Sequence, residues 1–159
     1  MIVDNGTRRE FESGAVRDIA EGKGRCDLLP LDQVQDILYL QSNILNNINS
    51  YLRTGSEAYI ISCITDFSAQ VFDSRYTAVL EVSKHFEEGC NKYGERNWEK
   101  GIPLHCYIDS AIRHYLKYLR GDQDERHDRA FLWNLLCLLW TQKNKPELND
   151  LPFANKIEN

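Results

Sequence analysis

Several ionisable side chains sit at helical spacing where they could do chemistry. If 75–91 is a helix, Glu87 falls at ~100° per residue beside Leu80 and Tyr76, on the edge of an apolar stripe of Val79, Val82, Phe86 and Cys90. A carboxylate at such an edge needs a partner, either a cation in a helix-edge salt bridge or a metal ion. Glu81, Lys84, His85 and Glu88 share the opposite face, where i, i+3 and i, i+4 pairing on a solvated surface is the plainer reading. Asp109 and Arg113 stand four apart on the next helix. They read either as an intrahelical ion pair or as a metal ligand with an arginine fork presented to phosphate. His114 lies on the other edge with Tyr107 and Tyr118, as a core-edge histidine or a catalytic group. Asp124 and His127 open the last helix, where Asp124 is a first-turn charge or a ligand. Asn134 shares a face with His127, ~10 Å further along the axis. It interrupts the apolar run Ala130–Trp140, so its amide needs a bond to a neighbouring helix or to a ligand.

The N-terminal piece carries glycines and cations, Ser13-Gly14-Ala15-Val16-Arg17-Asp18 and then Gly22-Lys23-Gly24-Arg25. Glycine lets a backbone approach phosphate, and Lys and Arg neutralise it. The GxxxxGK[ST] spacing of a Walker loop is missing, and no parallel-sheet pattern follows.

The elements that must position these groups are helical. Apolar residues at helical spacing predict helices over 31–51 (Leu31, Val34, Ile37, Leu38, Leu45, Ile48), 75–91, 105–120 (Ile108, Ile112, Tyr115, Leu119) and 125–143. The stretch 57–73 is open to strand or helix by residue type. Helix is favoured, with Ala58, Ile61, Thr65, Ser68 and Phe72 on one face, because no strand partner is in sight. The last helix, apolar on nearly every side, should be the centre of the bundle. The expectation is an all-α bundle of four to five helices in one domain over 1–159, with an N-terminal arm over 1–30 and a loose tail over 144–159 marked by Pro146 and Pro152.

Composition bounds the function. With 159 residues, 42% hydrophobic and 27% charged, the chain is neither disordered nor membrane-spanning by composition. A net charge of −5 lacks the basic excess of a nucleic-acid binder, while a small anionic ligand remains compatible. Cys26, Cys63, Cys90, Cys106 and Cys137 form no CxxC pair and read as reduced packing residues. Met1–Glu12 is polar and carries no secretory pattern, so a cytoplasmic protein is expected.

Three blocks carry a family resemblance: Gly22-Lys23-Gly24-Arg25-Cys26-Asp27-Leu28-Leu29-Pro30, then Lys92-Tyr93-Gly94-Glu95-Arg96-Asn97-Trp98-Glu99-Lys100-Gly101, then Tyr107-Ile108-Asp109-Ser110-Ala111-Ile112-Arg113-His114. In order and spacing the chain resembles phage and prophage proteins of the dATP/dGTP diphosphohydrolase N-terminal-domain family, similar to the MazG-like all-α nucleotide pyrophosphatases. The likeness extends to His127 and Trp133-Asn134 and omits about 41–74, which reads as an insertion serving as a subunit interface or a lid. The resemblance implies a homo-oligomeric bundle in the (host) cytoplasm. It also implies Mg²⁺, or Mn²⁺, held by acidic residues of facing helices, with water attacking the α-phosphate of dATP or dGTP to release pyrophosphate. Carried over, it makes Glu87, Asp109 and His114 catalytic, and Glu87, Glu88, Asp109 and Asp124 metal ligands. Lys23, Arg25, Lys92, Tyr93, Arg96, Asn97, Trp98, Arg113, His127 and Asn134 become substrate-binding residues, with Tyr93 or Trp98 stacking on the base. The chain departs from the MazG pattern. EExxE is missing, since Glu87-Glu88 is followed by Gly89, and Ala130 replaces a second histidine before Trp133-Asn134. One metal, or none, is therefore also consistent, and a nucleotide binder that sequesters or senses without hydrolysis is the alternative. An assembly protein is the third reading.

Overall fold

The computed structural model describes residues 6–156. Residues 1–5 and 157–159 lie outside it, and with them the ends of the expected arm and tail. A short antiparallel hairpin comes first, β1 (Arg8–Glu10) and β2 (Val16–Asp18), with Arg9 opposite Arg17. The helices among the described residues are α1 (Leu31–Ile37), α2 (Ile44–Thr54), α3 (Glu57–Val71), α4 (Arg75–Tyr93), α5 (Leu104–Arg120) and α6 (His127–Asn144). Short 3-10 turns occupy Cys26–Leu28, Asn97–Lys100, Pro146–Leu148 and Pro152–Lys156. The fold is all-α as expected, and the hairpin is the addition.

Helix α6 is central, packed against α3, α4 and α5. Its Phe131, Leu135 and Leu138 are fully buried, as its nearly unbroken apolar run requires. Phe67 of α3 meets the rings of Phe72, Tyr115, Tyr118 and Phe131 edge-on at centroid distances of 4.6 to 6.2 Å. The segment 41–74 therefore builds core: Ile44, Leu45, Ile48, Tyr51, Ile60 and Cys63 are all fully buried.

The helix expected over 31–51 is two helices. Tyr39 adopts φ +51°, a left-handed conformation that ends a right-handed helix. The Gln35 amide donates to the carbonyls of Leu40 (3.2 Å) and Ser42 (2.7 Å), groups that the break leaves open. Ile37 and Leu38, which seemed to continue the stripe, face solvent. The faces of α3 and α4 are also rotated from expectation. In α3 the buried track is Ile60, Cys63, Phe67 and Ser68, and Ile61 is half-exposed. In α4 it is Ala78, Val82 and His85, while Val79 and Cys90 face outward. Two apolar tracks run along α4, Tyr76-Val79-Leu80 and Ala78-Val82-Phe86, and hydropathy alone does not choose between them. The chosen track buries His85, which had been read as solvated, and leaves Glu87 exposed.

The C-terminal segment is packed rather than loose. Leu151 and Phe153 are buried, and the Phe153 ring stands 5.4 Å from that of Tyr51. Gly55 ends α2 at φ +73°, and a Cβ there would lie 2.6 Å from Phe153. Asp150 accepts the His105 backbone N–H at 3.0 Å, capping α5 from outside, and also binds the His105 ring Nδ1. The hydrogen bond to Asp150 raises the His105 pKa to about 10. A raised histidine pKa contributes stability in full below its unfolded value of ~6.5, and the contribution is lost as pH climbs through the folded value. Asp150→Asn is thus expected to lower the melting temperature near neutral pH and to change it little above about pH 10. Parallel thermal melts of both proteins across that window provide the check; a pH-independent difference would remove the ion pair from the explanation.

Among the described residues no helix is long and apolar enough to cross a membrane. All five cysteines are free, with Cys63, Cys106 and Cys137 buried as packing residues.

Candidate functional site

The site is assembled by docking the hairpin onto the bundle. Arg96 takes φ +55° and turns the chain after α4. This presents the Asn97 amide to β2 as another strand would present its backbone. Asn97 Oδ1 accepts the Val16 N–H at 2.9 Å, and Nδ2 donates to the Val16 carbonyl at 2.9 Å. Asp18, two residues on, accepts from Lys92 Nζ at 2.7 Å and from the Tyr93 hydroxyl at 2.9 Å. Ser13 Oγ donates to the Gly101 carbonyl. The 92–101 block is thus a clamp for β2. Asn97→Ala leaves both Val16 backbone groups without these partners, at an expected cost of about 1–3 kcal/mol. Faster hydrogen exchange confined to the hairpin should reveal it; unchanged hairpin protection would contradict the clamp.

The clamp delivers Arg17 between α5 and α6. Its Nη2 donates to Ser110 Oγ at 3.0 Å and to Asn134 Oδ1 at 3.1 Å. Its guanidinium lies 5.5 Å and 5.6 Å from the ring centroids of Tyr107 and Trp133. Nη1 is buried with no hydrogen-bond partner among the described residues. Asn134 completes its own bonding by donating to the Ala130 carbonyl at 2.8 Å, so the polar break in α6 holds an arginine.

A second anchor fixes the glycine-rich segment. Asp109 accepts the Cys26 N–H at 2.7 Å and receives Arg113 Nη2 at 2.7 Å on both oxygens. Arg113 Nη2 also reaches the Gly24 carbonyl at 2.7 Å. Lys23 is thereby brought to the same cavity as Arg17, while Arg25 turns aside to form a bidentate pair with Asp27 at 2.8 and 2.7 Å.

The cavity has a volume of about 290 Å³. Arg17, Lys23, Arg113 and Lys117 bring positive charge to it; His114, Asp124 and Glu125 line it as well. His114 Nδ1 and His127 Nδ1 face each other at 2.9 Å, and Glu125 Oε1 lies 3.5 Å from the first and 3.6 Å from the second. His127 Nε2 bonds Asp124 Oδ1 at 2.7 Å, which draws the Asp124 pKa down. Burial, then the neighbouring His127, holds His114 well below the ordinary histidine pKa. Burial likewise depresses His85, on the α4 wall, to about 4, so it is neutral near pH 7. The residues that could hold a divalent ion are His114, Glu125 and His127, or Asp122, Asp124 and His127.

A second cavity of about 310 Å³ adjoins the first, sharing Gly89, Tyr93, Asn97 and Trp133 as common walls. Phe86, Trp98 and Glu87 line it too. Trp98 stands edge-on to Phe86 at 5.7 Å and to Trp140 at 5.0 Å. Arg96, at its rim, pairs with Glu99 at 2.6 Å.

Of the residues singled out in the sequence, Lys23, Tyr93, Asn97, Arg113, His114, Asp124 and Asn134 converge on the first cavity, with His127 directly against His114. Glu87 and Asp109 are not brought together. Glu87 is exposed at the second cavity, and the Asp109 carboxylate is spent on Arg113 and Cys26. Glu88 lies on the flank of α4 within electrostatic reach of His85, and Lys92 serves the clamp. Sequence reasoning missed Lys117 and Glu125, and it named Arg17 and His85 without assigning them to the site. The available signal was Asp124-Glu125-Arg126-His127 directly after a histidine-bearing helix, a dense run of metal-type donors.

Half-buried Arg17, Arg113 and Lys117 and exposed Lys23 face a histidine–carboxylate group across one cavity, an arrangement suited to an anion beside a cation site. The profile of the family described as dATP/dGTP diphosphohydrolase, N-terminal, matches residues 70–151. The chain belongs to that family. The match spans the clamp and the histidine–carboxylate group, while Arg17 and Lys23 lie before it. No curated protein and no solved structure matches the chain.

Proposed function

We propose that this chain hydrolyses a purine deoxynucleoside triphosphate to the monophosphate and pyrophosphate, with a divalent metal, using the two adjoining cavities. The observation that carries the reading is the buried Nη1 of Arg17, which has no hydrogen-bond partner among the described residues. A buried guanidinium nitrogen left unpaired is costly unless a ligand anion completes it. The triphosphate lies against Arg17, Lys23 and Arg113, and the base enters the aromatic cavity beside Trp98, Tyr93 and Trp133. Glu87 stands at the base edge, where its carboxylate can accept from an exocyclic amino group. Arg17 and Lys23 neutralise charge as the pyrophosphate leaves, and Trp133 and Asn97, shared by both cavities, fix the base relative to the phosphates. Residues among His114, Asp122, Asp124, Glu125 and His127 would hold a divalent metal, which when bound would supply charge neutralisation and acidify a water. Exposed Ile37, Leu38 and Tyr39 at the C-terminal end of α1 support assembly as a homo-oligomer, which light scattering would measure.

The test is pyrophosphate release from dATP, dGTP, dCTP and dTTP with each divalent metal in turn, products separated by ion exchange. Catalytic release favouring the purines bears the reading out. The separation of Glu87 from Asp109 favours the alternative of a non-hydrolysing nucleotide binder. That alternative predicts saturable calorimetric binding with no product.

A further inference from the structure

We infer that His114, His127 and Glu125 form a site for one first-row transition ion, of the Mn²⁺, Fe²⁺, Co²⁺ or Zn²⁺ class, rather than for Mg²⁺. The inference deepens the proposed function and rests on the same cavity. Three donor atoms from α5, α6 and the loop between them converge, at separations of 2.9, 3.5 and 3.6 Å. Ligands ~2.1 Å from a common ion stand ~3.0 Å apart at right angles and ~3.4 Å apart at tetrahedral angles. A plain hydrogen bond between the imidazoles would account for the 2.9 Å contact. It would not account for a carboxylate oxygen nearly equidistant from both rings and beyond good bonding range of either.

The outer partners fit the same reading. The bond from His127 Nε2 to Asp124 fixes the proton on that nitrogen and turns the Nδ1 lone pair toward His114 and Glu125. A carboxylate behind a ligating histidine is the usual second layer of an imidazole–metal site. The competing group, Asp122 with Asp124 and His127, is less available: Asp122 is held by Arg120 through Nε at 2.7 Å and through Nη2, and Asp124 already serves His127. Two imidazoles and one carboxylate suit transition ions, whereas Mg²⁺ takes oxygen donors and keeps its waters. His114 and Glu125 line the cavity, so remaining coordination positions open toward the space facing Arg17 and Lys23.

The experiment titrates metal-stripped protein with Co²⁺, reading the visible d–d spectrum and stoichiometry, and repeats this by calorimetry with Mn²⁺ under about a thousandfold excess of Mg²⁺. One equivalent of Co²⁺ should bind with nitrogen-ligand bands, survive the Mg²⁺, and weaken at least tenfold in both His127→Ala and Glu125→Gln. Glu125→Gln keeps both imidazoles and most of the shape, so it answers even where His127→Ala fails to fold. Binding that is unchanged in Glu125→Gln, absent in the wild type, or displaced by Mg²⁺ would overturn the site. Pyrophosphate release is scored separately. Pyrophosphate release without Co²⁺ binding sinks the site and spares the activity, whereas tight Co²⁺ binding without turnover spares the site and sinks the activity.

Discussion

Replacing Arg17 by glutamine is expected to lower kcat/KM for a purine deoxynucleoside triphosphate about a hundredfold or more, the scale for losing a preorganised donor to developing phosphate charge. Glutamine keeps the aliphatic stem and a polar tip but ends short of Nη2, so the bonds to Ser110 and Asn134 are lost together with the charge and the unpartnered Nη1. The stability loss should stay within about 1–2 kcal/mol. Arg17→Lys restores the charge but neither the fork nor the planar stacking over Tyr107 and Trp133, so recovery should be incomplete. Steady-state kinetics alongside thermal melts separate the two effects. Normal kinetics in a folded Arg17→Gln protein would take the triphosphate away from this cavity.

Phe67→Ala should give the largest loss of stability. Phe67 is buried and meets four other rings, two from α5, one from α6 and one from the turn after α3. Removing it forfeits the transfer free energy and leaves a void that several large side chains cannot all collapse into, an expected loss of ~3–5 kcal/mol. Against a typical domain stability of ~5–15 kcal/mol, the variant should fold only marginally. Urea unfolding with an unchanged slope and a sharply lower midpoint is the expected record. A loss below about 1 kcal/mol would mean that α3 is peripheral, the lid or interface that its sequence alone allowed.

The sequence was most readable where apolar spacing had one interpretation. Helices α5 and α6 follow the stripe of Ile108, Ile112 and Tyr115 and the run through Leu138. It was least readable where two patterns competed. Leu38 and Leu45 keep a helical interval across the break at Tyr39, because a single positive φ leaves no trace in hydropathy. On α4 the larger residues Val79 and Leu80 outweighed Ala78 and His85, although the latter face the core. Site residues split the same way. Asp109 with Arg113 was open to a salt bridge or a ligand pair, and the backbone N–H of Cys26, a partner 83 positions away, belongs to the first. Arg17 was named within a glycine- and cation-rich segment but not singled out as a site residue, because β2 spans only three residues and its neighbours in space come from α5 and α6. The asparagine in the apolar run was the one clue to it, since its unexplained amide required something to hold.

The Asn97 clamp ties the order of synthesis to the chemistry. Val16 meets its partner 81 positions later, and Arg17 meets Asn134 117 positions later. Contacts of such long separation carry the heaviest loop-closure cost and tend to form late. A nascent chain therefore exposes its glycine-rich leader long before anything exists to receive it. The cationic half of the cavity is in place only once α6 has been made, because Arg17 takes its position from Asn134.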